Sequence, residues 1–294
     1  MSLSPRRRFT VPLPDGRALE LGARTLVMGI VNVTPDSFAD GGQRLDPDVA
    51  ARDAIRLVEQ GADIIDIGGE STRPGAAPLS ADEELGRVLP VLERLRGRLD
   101  APISIDTYKA GIAARALDLG AAIVNDISAL AYDPALAGVV ADRGAAVILM
   151  HNRGRSSDIY RYAEYGNVAA EVAAELEAHA RRAEAAGISH DRIIVDPGFG
   201  FAKRAEHTMA AIAGLPAVAA LGRPMLTGPS RKSYLKAALG DVPADRRVWG
   251  TAAAVAASIL LGAHIVRVHD VAEMVQVARV ADAIVEASGP GVQV

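Results

Sequence analysis

The runs TLVMGIVNV at Thr25–Val33 and DIIDIG at Asp63–Gly68, with VAARDAIRLVEQ at Val49–Gln60 between them, decide the fold. Both runs are short, nearly continuous in apolar residues and rich in Val and Ile, as expected of strands buried on both faces. The middle segment spaces Ala50, Ala54 and Leu57 at helical intervals. Strand, crossover helix and strand make a parallel βαβ unit.

The alternation continues along the chain. Further strand-like runs are Pro102–Asp106, Ile123–Ile127, Ala145–Met150, Ile193–Asp196, Pro224–Thr227 and Ile265–Val268, eight in all with the first two. Helical spacing recurs in Glu83–Arg96, Val168–Ala186 and Thr251–Leu261. Ser80 and Glu83 fit a capping box, and Asp46-Pro47 and Asp133-Pro134 each put an N-cap residue ahead of a proline. No dinucleotide-type glycine fingerprint follows the first run. Eight βα units in a chain of 294 residues predict the α/β class and a single (β/α)8 TIM barrel. Pro14-Asp15-Gly16 marks a turn, so residues 9–22 read as a hairpin capping one end. The expected organisation is a tail and hairpin over 1–22 and a catalytic domain over 23–294.

Composition narrows the function. With no cysteine the chain has no disulfide, thiolate metal site or cysteine nucleophile, and a cytoplasmic home is expected. A net charge of -4 argues against a nucleic-acid surface. Arg6, Arg7 and Arg8 precede no apolar stretch, so no membrane span or secretory signal is expected, and the arginine tail reads as disordered. Lysine is scarce: only Lys109, Lys203, Lys232 and Lys236 occur.

In a barrel the active site gathers at the C-terminal ends of the strands. There the sequence places Asn32, Glu70 to Arg73, Asp106, Asn125 with Asp126, His151, Asp196, Ser230-Arg231-Lys232, and Arg267, His269 and Asp270. Any one of these could cap a helix or sit satisfied in a core, but such residues at successive strand ends, with few at strand starts, indicate a site. Asp106, Asn125 and Asp196 offer carboxylates and an amide, suited to a flat heterocycle rich in N–H groups. Arg73, Lys232, Arg267 and His269 suit an oxyanion, most simply phosphate. Two βα connections, Thr34–Gly42 and Glu70–Ala76, exceed the usual span of about 2–6 residues and read as binding loops.

Asn32-Val33-Thr34-Pro35-Asp36-Ser37-Phe38 and Glu70-Ser71-Thr72-Arg73-Pro74-Gly75 resemble the two signature loops of the dihydropteroate synthases. Ser104-Ile105-Asp106-Thr107, Val124-Asn125-Asp126, Asp196-Pro197-Gly198-Phe199-Gly200-Phe201, Ser230-Arg231-Lys232-Ser233 and Arg267-Val268-His269-Asp270 follow in the family's order, from about residue 25 to 285. The resemblance implies a transferase of folate biosynthesis that joins 6-hydroxymethyl-dihydropterin pyrophosphate to p-aminobenzoate and releases pyrophosphate. It implies that Asp106, Asn125, Met150, Asp196 and Lys232 hold the pterin, and that Thr72, Pro74, Phe201 and Ser233 line the p-aminobenzoate site. It further implies that Asn32, Arg73, Arg267 and His269 receive the pyrophosphate, with Mg²⁺ on Asn32, and that Lys232, Arg267, His269 and Arg73 act in catalysis. A homodimer is expected, for which the apolar helices around Val255–Leu261 and Val275–Val285 are suitable. Pro229 and Asn152-Arg153 depart from the family's commonest pattern.

Two other readings remain at this point. A methyltetrahydrofolate methyltransferase serving a corrinoid would share the barrel, but the Ser71–Pro74 and Ser230–Lys232 loops argue against it, and no Asp-x-His-x-x-Gly motif occurs. A non-catalytic pterin-binding subunit would be expected to have lost Asn32, Lys232 or His269, and all three are present.

Overall fold

A hairpin of β1 (Phe9–Pro12) and β2 (Ala18–Leu21) opens the chain, paired antiparallel from Phe9–Leu21 to Pro12–Ala18. The computed structural model describes residues 6–34, 46–72, 75–155 and 158–288. After the hairpin come β3 (Leu26–Asn32), α1 (Pro47–Glu59), β4 (Ile64–Gly68), α2 (Ala81–Leu95), β5 (Ile103–Asp106) and α3 (Ala110–Asp118). Then follow β6 (Ala121–Asp126), α4 (Leu136–Asp142), β7 (Ala146–Met150), α5 (Val168–Ala185) and β8 (Ile193–Asp196). The chain ends with α6 (Ala205–Ala213), α7 (Leu215–Ala219), β9 (Leu226–Thr227), α8 (Lys236–Leu239), α9 (Val248–Leu260), β10 (Ile265–Val268) and α10 (Val271–Ala287).

The eight strands from β3 to β10 form one parallel sheet in the order β8-β7-β6-β5-β4-β3-β10-β9. A bridge between Val195 and Met225 brings β8 against β9 and closes it into a barrel, with Val195 N–H donating to the Pro224 carbonyl at 3.0 Å. All eight apolar runs are strands. β9 is the shortest, two residues.

Alternation along the strands sorts their side chains into two cores. Val27, Val31, Ile65, Ile67, Val124, Val147 and Leu149 face the helices. Met28, Ile64, Ile123, Ile148, Ile194 and Ile265 face inward and pack under Val11, Leu13, Leu19 and Leu21 of the hairpin, which plugs the bottom of the barrel. Two helix starts follow the caps read from the sequence. Asp46 accepts from Asp48 N–H at 2.8 Å, and the Ser80–Glu83 capping box is complete.

Two expectations are corrected. Asp133 does not cap a helix at Pro134, because α4 begins only at Leu136. Its carboxylate is used elsewhere, accepting from Ala110 N–H at the start of α3 and from Ala135 N–H. Nor is the arginine tail disordered throughout. The side chain of Arg6 is enclosed, donating to Thr25 Oγ1 and the Ala263 carbonyl and pairing with Asp282 of α10 at 2.5 Å. Residues 1–5 lie outside the described residues.

Candidate active site

Parallel register builds the floor of the site. Asn32 of β3 lies beside Gly68 of β4, Gly68 beside Asp106 of β5, and Asp106 beside Asn125 of β6, in one row across four strands. Across the barrel, Met150 of β7 is level with Asp196 of β8. Gly68 is small for a reason visible in this row, since a Cβ there would stand 3.3 Å from Asp106 Cβ.

Charge is dense on this floor. Arg267 of β10 donates from Nε to Asp66 at 2.6 Å and from Nη2 to Asp106 at 2.7 Å. Asn125 Nδ2 donates to the same Asp66 oxygen at 3.1 Å. Asp66, wholly buried, therefore orients both neighbours. With its amide nitrogen committed to Asp66, Asn125 turns its carbonyl oxygen elsewhere, free to accept from a ligand N–H. Asp66 was not singled out from sequence because it lies inside the run Ile64-Ile65-Asp66-Ile67 rather than at its end. The signal was nonetheless there, a lone carboxylate amid β-branched residues that must find a partner.

Burial shapes the titration of these groups. It pushes Asp106 up to about 7, against the pull of Arg267 and with help from the charges of Asp66, Glu84 and Asp126. Burial also raises Asp196, opposed by Lys232 and by a bond from Gly198 N–H at 2.8 Å. Lys232 is lowered to about 8 by burial, partly offset by Asp196. Its ammonium donates to the Phe199 carbonyl at 2.6 Å and stands 4.7 Å from the Phe201 ring centroid. A carboxyl able to hold or lose a proton near neutrality, an oriented amide and a lysine on one floor match the edge of a heterocycle carrying both donors and acceptors.

On the other side of the strand ends, a cavity of about 250 Å³ is lined by Asn32, His269, Arg231, Arg56, Asp53 and neighbouring residues. His269 is held by Ser230, whose Oγ lies 3.0 Å from Nδ1. Asn32 and His269 thus come together, while Arg267 turns to the carboxylates of the floor instead of lining this cavity.

Of the residues assigned to the p-aminobenzoate site, Phe201 and Thr72 are half-buried and Ser233 is exposed. Arg73 and Pro74, and the first loop over residues 35–45, lie outside the described residues. The second loop is anchored at its base, where Glu70 accepts from Tyr108 Oη at 2.9 Å and from Lys109 at 2.5 Å. Pro229 leaves the Lys232 loop seated. Ser230 bonds His269, Arg231 pairs with Asp270, and Arg247 donates to the Arg231 carbonyl at 2.9 Å. Arg153, the other departure, pairs with Glu171 and Glu175 of α5.

A parallel barrel whose mouth sets a floor of carboxylates and cations beside a polar cavity of mixed charge defines a class of small-molecule enzyme, and comparison with known proteins narrows it. Residues 28–269 match the model of the pterin binding enzyme family. The dihydropteroate synthase of Synechocystis sp. is 46% identical over 94% of this chain and 96% of its own length. That of Escherichia coli is 42% identical over 93% of this chain and 96% of its own. Among solved structures, Xanthomonas albilineans dihydropteroate synthase with 4-aminobenzoic acid superposes with a TM-score of 0.85 at 42% identity, covering 93% of this chain and 98% of that one. The Yersinia pestis enzyme in a sulfonamide complex gives 0.88 at 39% identity, covering 96% and 100%. The chain belongs to the dihydropteroate synthase family, transferases of folate biosynthesis.

Proposed function

We propose that the barrel mouth condenses 6-hydroxymethyl-dihydropterin pyrophosphate with p-aminobenzoate to give dihydropteroate and pyrophosphate, with each side chain in the following role. The observation that carries this reading is the floor on which Asp66 fixes Asn125 and Arg267 beside Asp106, Asp196 and Lys232. Asp106, Asn125 and Asp196 bind the polar edge of the pterin, Lys232 donates to it, and Met150 supports its apolar face. Lys232 and Arg267 present positive charge where the ring meets the leaving group, and His269, Asn32 and Arg73 receive the pyrophosphate. Thr72, Pro74, Phe201 and Ser233 hold p-aminobenzoate.

The reaction breaks the methylene C–O bond, its electron pair leaving with pyrophosphate. The electron-rich pterin spreads the developing positive charge, and the arylamine lone pair forms the new N–C bond before the nitrogen loses a proton. A neutral aniline needs no strong base, only alignment with the carbon, while the cationic side chains stabilise the departing anion. Mg²⁺ suits this site, since Asn32 offers one neutral oxygen and the ion characteristically takes most of its ligands from phosphate and water. Among the described residues no group of three His, Cys, Asp or Glu side chains could hold a metal without such help. When bound, the ion supplies further charge against the leaving group.

A homodimer is part of the proposal. Of the apolar stretch Val255–Leu261 at the end of α9, Val255, Ser258 and Ile259 are turned into the core and fully buried. In contrast, Trp249 of α9 is 80% exposed, with Val280 at 64% and Ile284 at 46% on α10. These two helices pack side by side and offer the apolar face that a second copy would cover. A cytoplasmic location accords with the absence of cysteine and of any described helix long and apolar enough to cross a membrane.

The test is a pyrophosphate-release assay with both substrates. Release is expected to require p-aminobenzoate and to stop in excess chelator. Release indifferent to p-aminobenzoate would remove the condensation, and release unchanged by chelator would remove Mg²⁺.

A further inference from the structure

Among the few lysines, Lys203 has no part in the site just described, yet it is 1% exposed. Its ammonium donates to three acceptors: His151 Nδ1 at 2.7 Å, the Phe201 carbonyl at 3.1 Å and the Gly198 carbonyl at 3.2 Å. An ammonium has three N–H bonds, so all are used. The Glu175 carboxylate, 3.0 Å from His151 Nε2, can only accept, so the His151 proton sits on Nε2 and Nδ1 accepts from Lys203. Glu175 is gripped in turn by Arg153, whose guanidinium lies 4.1 Å from the Tyr165 ring centroid. A chain of polar contacts thus runs from a buried lysine to the flank of α5.

The two carbonyls belong to the turn Pro197–Ala202 that leaves Asp196 and carries Phe199 and Phe201. Its backbone is strained. Ala202 sits at φ +48°, and Gly198 at +67° passes so close to β7 that a Cβ would fall 2.0 Å from the His151 carbonyl. Such a turn holds its shape only where its surroundings impose it. Two ammonium groups do so here: Lys203 from beneath, through the carbonyls of residues 198 and 201, and Lys232 from the pocket, through that of 199. Lys232 is the one expected to turn to a bound pterin. Lys203, enclosed and saturated, stays.

We propose that Lys203 is a positioning residue for the p-aminobenzoate pocket: it holds the Gly198–Phe201 turn when Lys232 transfers its contact to the pterin, and the His151–Glu175–Arg153 chain keeps it in place. This rests on the assignment of Phe201 to that pocket. Charged groups on every element around Lys203 define its setting, namely Asp196 and Lys232 from the pocket and Glu175 and Arg153 from the α5 side.

The test measures substrates separately in the wild-type protein and in Lys203→Met. The KM for p-aminobenzoate is expected to rise about tenfold or more, with the calorimetric Kd for the pterin pyrophosphate changing less than about twofold. Lys203→Met should add little to Phe201→Ala in a double-mutant cycle, because one acts through the other. An unchanged p-aminobenzoate KM in folded Lys203→Met overturns the proposal, as does a parallel loss for both substrates, which would indicate general collapse. If Lys203→Met does not fold, His151→Ala removes one acceptor and should shift the same KM by a smaller factor. No shift there also overturns the proposal. In the wild type, nitrogen NMR should find His151 as the Nε2–H tautomer, and the Nδ1–H tautomer would break the chain of contacts. If the wild-type protein forms no dihydropteroate at all, the functional assignment fails first, a result distinct from any of these.

Discussion

The lower and upper halves of the barrel interior are lined by alternate positions of the same strands, yet they are chemically opposite. Ile64 and Asp66 are two residues apart on β4, as are Ile123 and Asn125 on β6, Ile194 and Asp196 on β8, and Ile265 and Arg267 on β10. The lower member of each pair packs under the hairpin. The upper member belongs to the charged floor. One strand period, about 7 Å, separates a dry core from a layer holding three carboxylates and two cations. The lower layer can provide stability without constraining chemistry. The upper layer must keep desolvated charges in place, and it does so by pairing them, with Arg267 between Asp66 and Asp106. Such pairing is weak evidence for stability and better evidence that these groups await a ligand.

The sharpest way to break this division is to damage the lower layer and look for a response above. Leu21→Ala removes a side chain that is 2% exposed against the barrel base, which should cost about 2–5 kcal/mol of unfolding free energy. Activity per folded molecule is expected to be unchanged, as judged by denaturant melts alongside assays in native buffer. A changed pterin Kd in folded Leu21→Ala would show that the two layers are coupled.

The reciprocal change comes next in size. Asp196→Ala removes a buried acceptor from the floor, and the loss of a charge-assisted contact, about 1.5–3 kcal/mol, predicts at least tenfold weaker pterin binding with folding little affected. Calorimetry with a pterin pyrophosphate analogue reads it. Parent-like affinity would mean that the pterin does not lie against β8.

Much of this contrast was legible in the sequence, though unevenly. Each of the eight strands was visible because buried parallel strands are continuous apolar runs, and Asp106, Asn125 and Asp196 stood out as polar residues at their ends. Asp66 escaped because it interrupts a run without ending it, and its partners Asn125 and Arg267 lie 59 and 201 positions away. The scarcity of lysine was visible, but nothing local set Lys203 apart or indicated that it would point at His151, 52 residues earlier. Arg267 and His269, two apart on one side of the chain, read as a joint anion site. In the structure Arg267 also pairs with Asp66 and Asp106, contacts to neighbouring strands that are invisible along one. Non-local pairing is what a single run of sequence withholds.

The smallest expected effect concerns stability as a function of pH, and Asp106 sets its sign. Half-buried in the floor and desolvated there, its carboxyl is pushed up to about 7 in the folded protein, whereas in the unfolded chain it would ionise near the ordinary aspartate value of about 3.9. Between those limits the native state binds more protons than the unfolded one, so the contribution of Asp106 to stability falls as pH rises through this window and levels off above it. Asp106→Asn, which cannot ionise, should lose that slope. The variant should therefore gain on the wild type between about pH 4 and pH 7, even as its pterin binding is impaired. One pKa unit corresponds to about 1.4 kcal/mol. Because Arg267 would lose one of its two carboxylates, the net gain is expected to be about that size rather than the full shift. Denaturant melts of both proteins across the window measure it. Parallel profiles for wild type and Asp106→Asn would show that Arg267 already holds Asp106 ionised in the folded state, and that the charged floor is more fully paired than its burial implies.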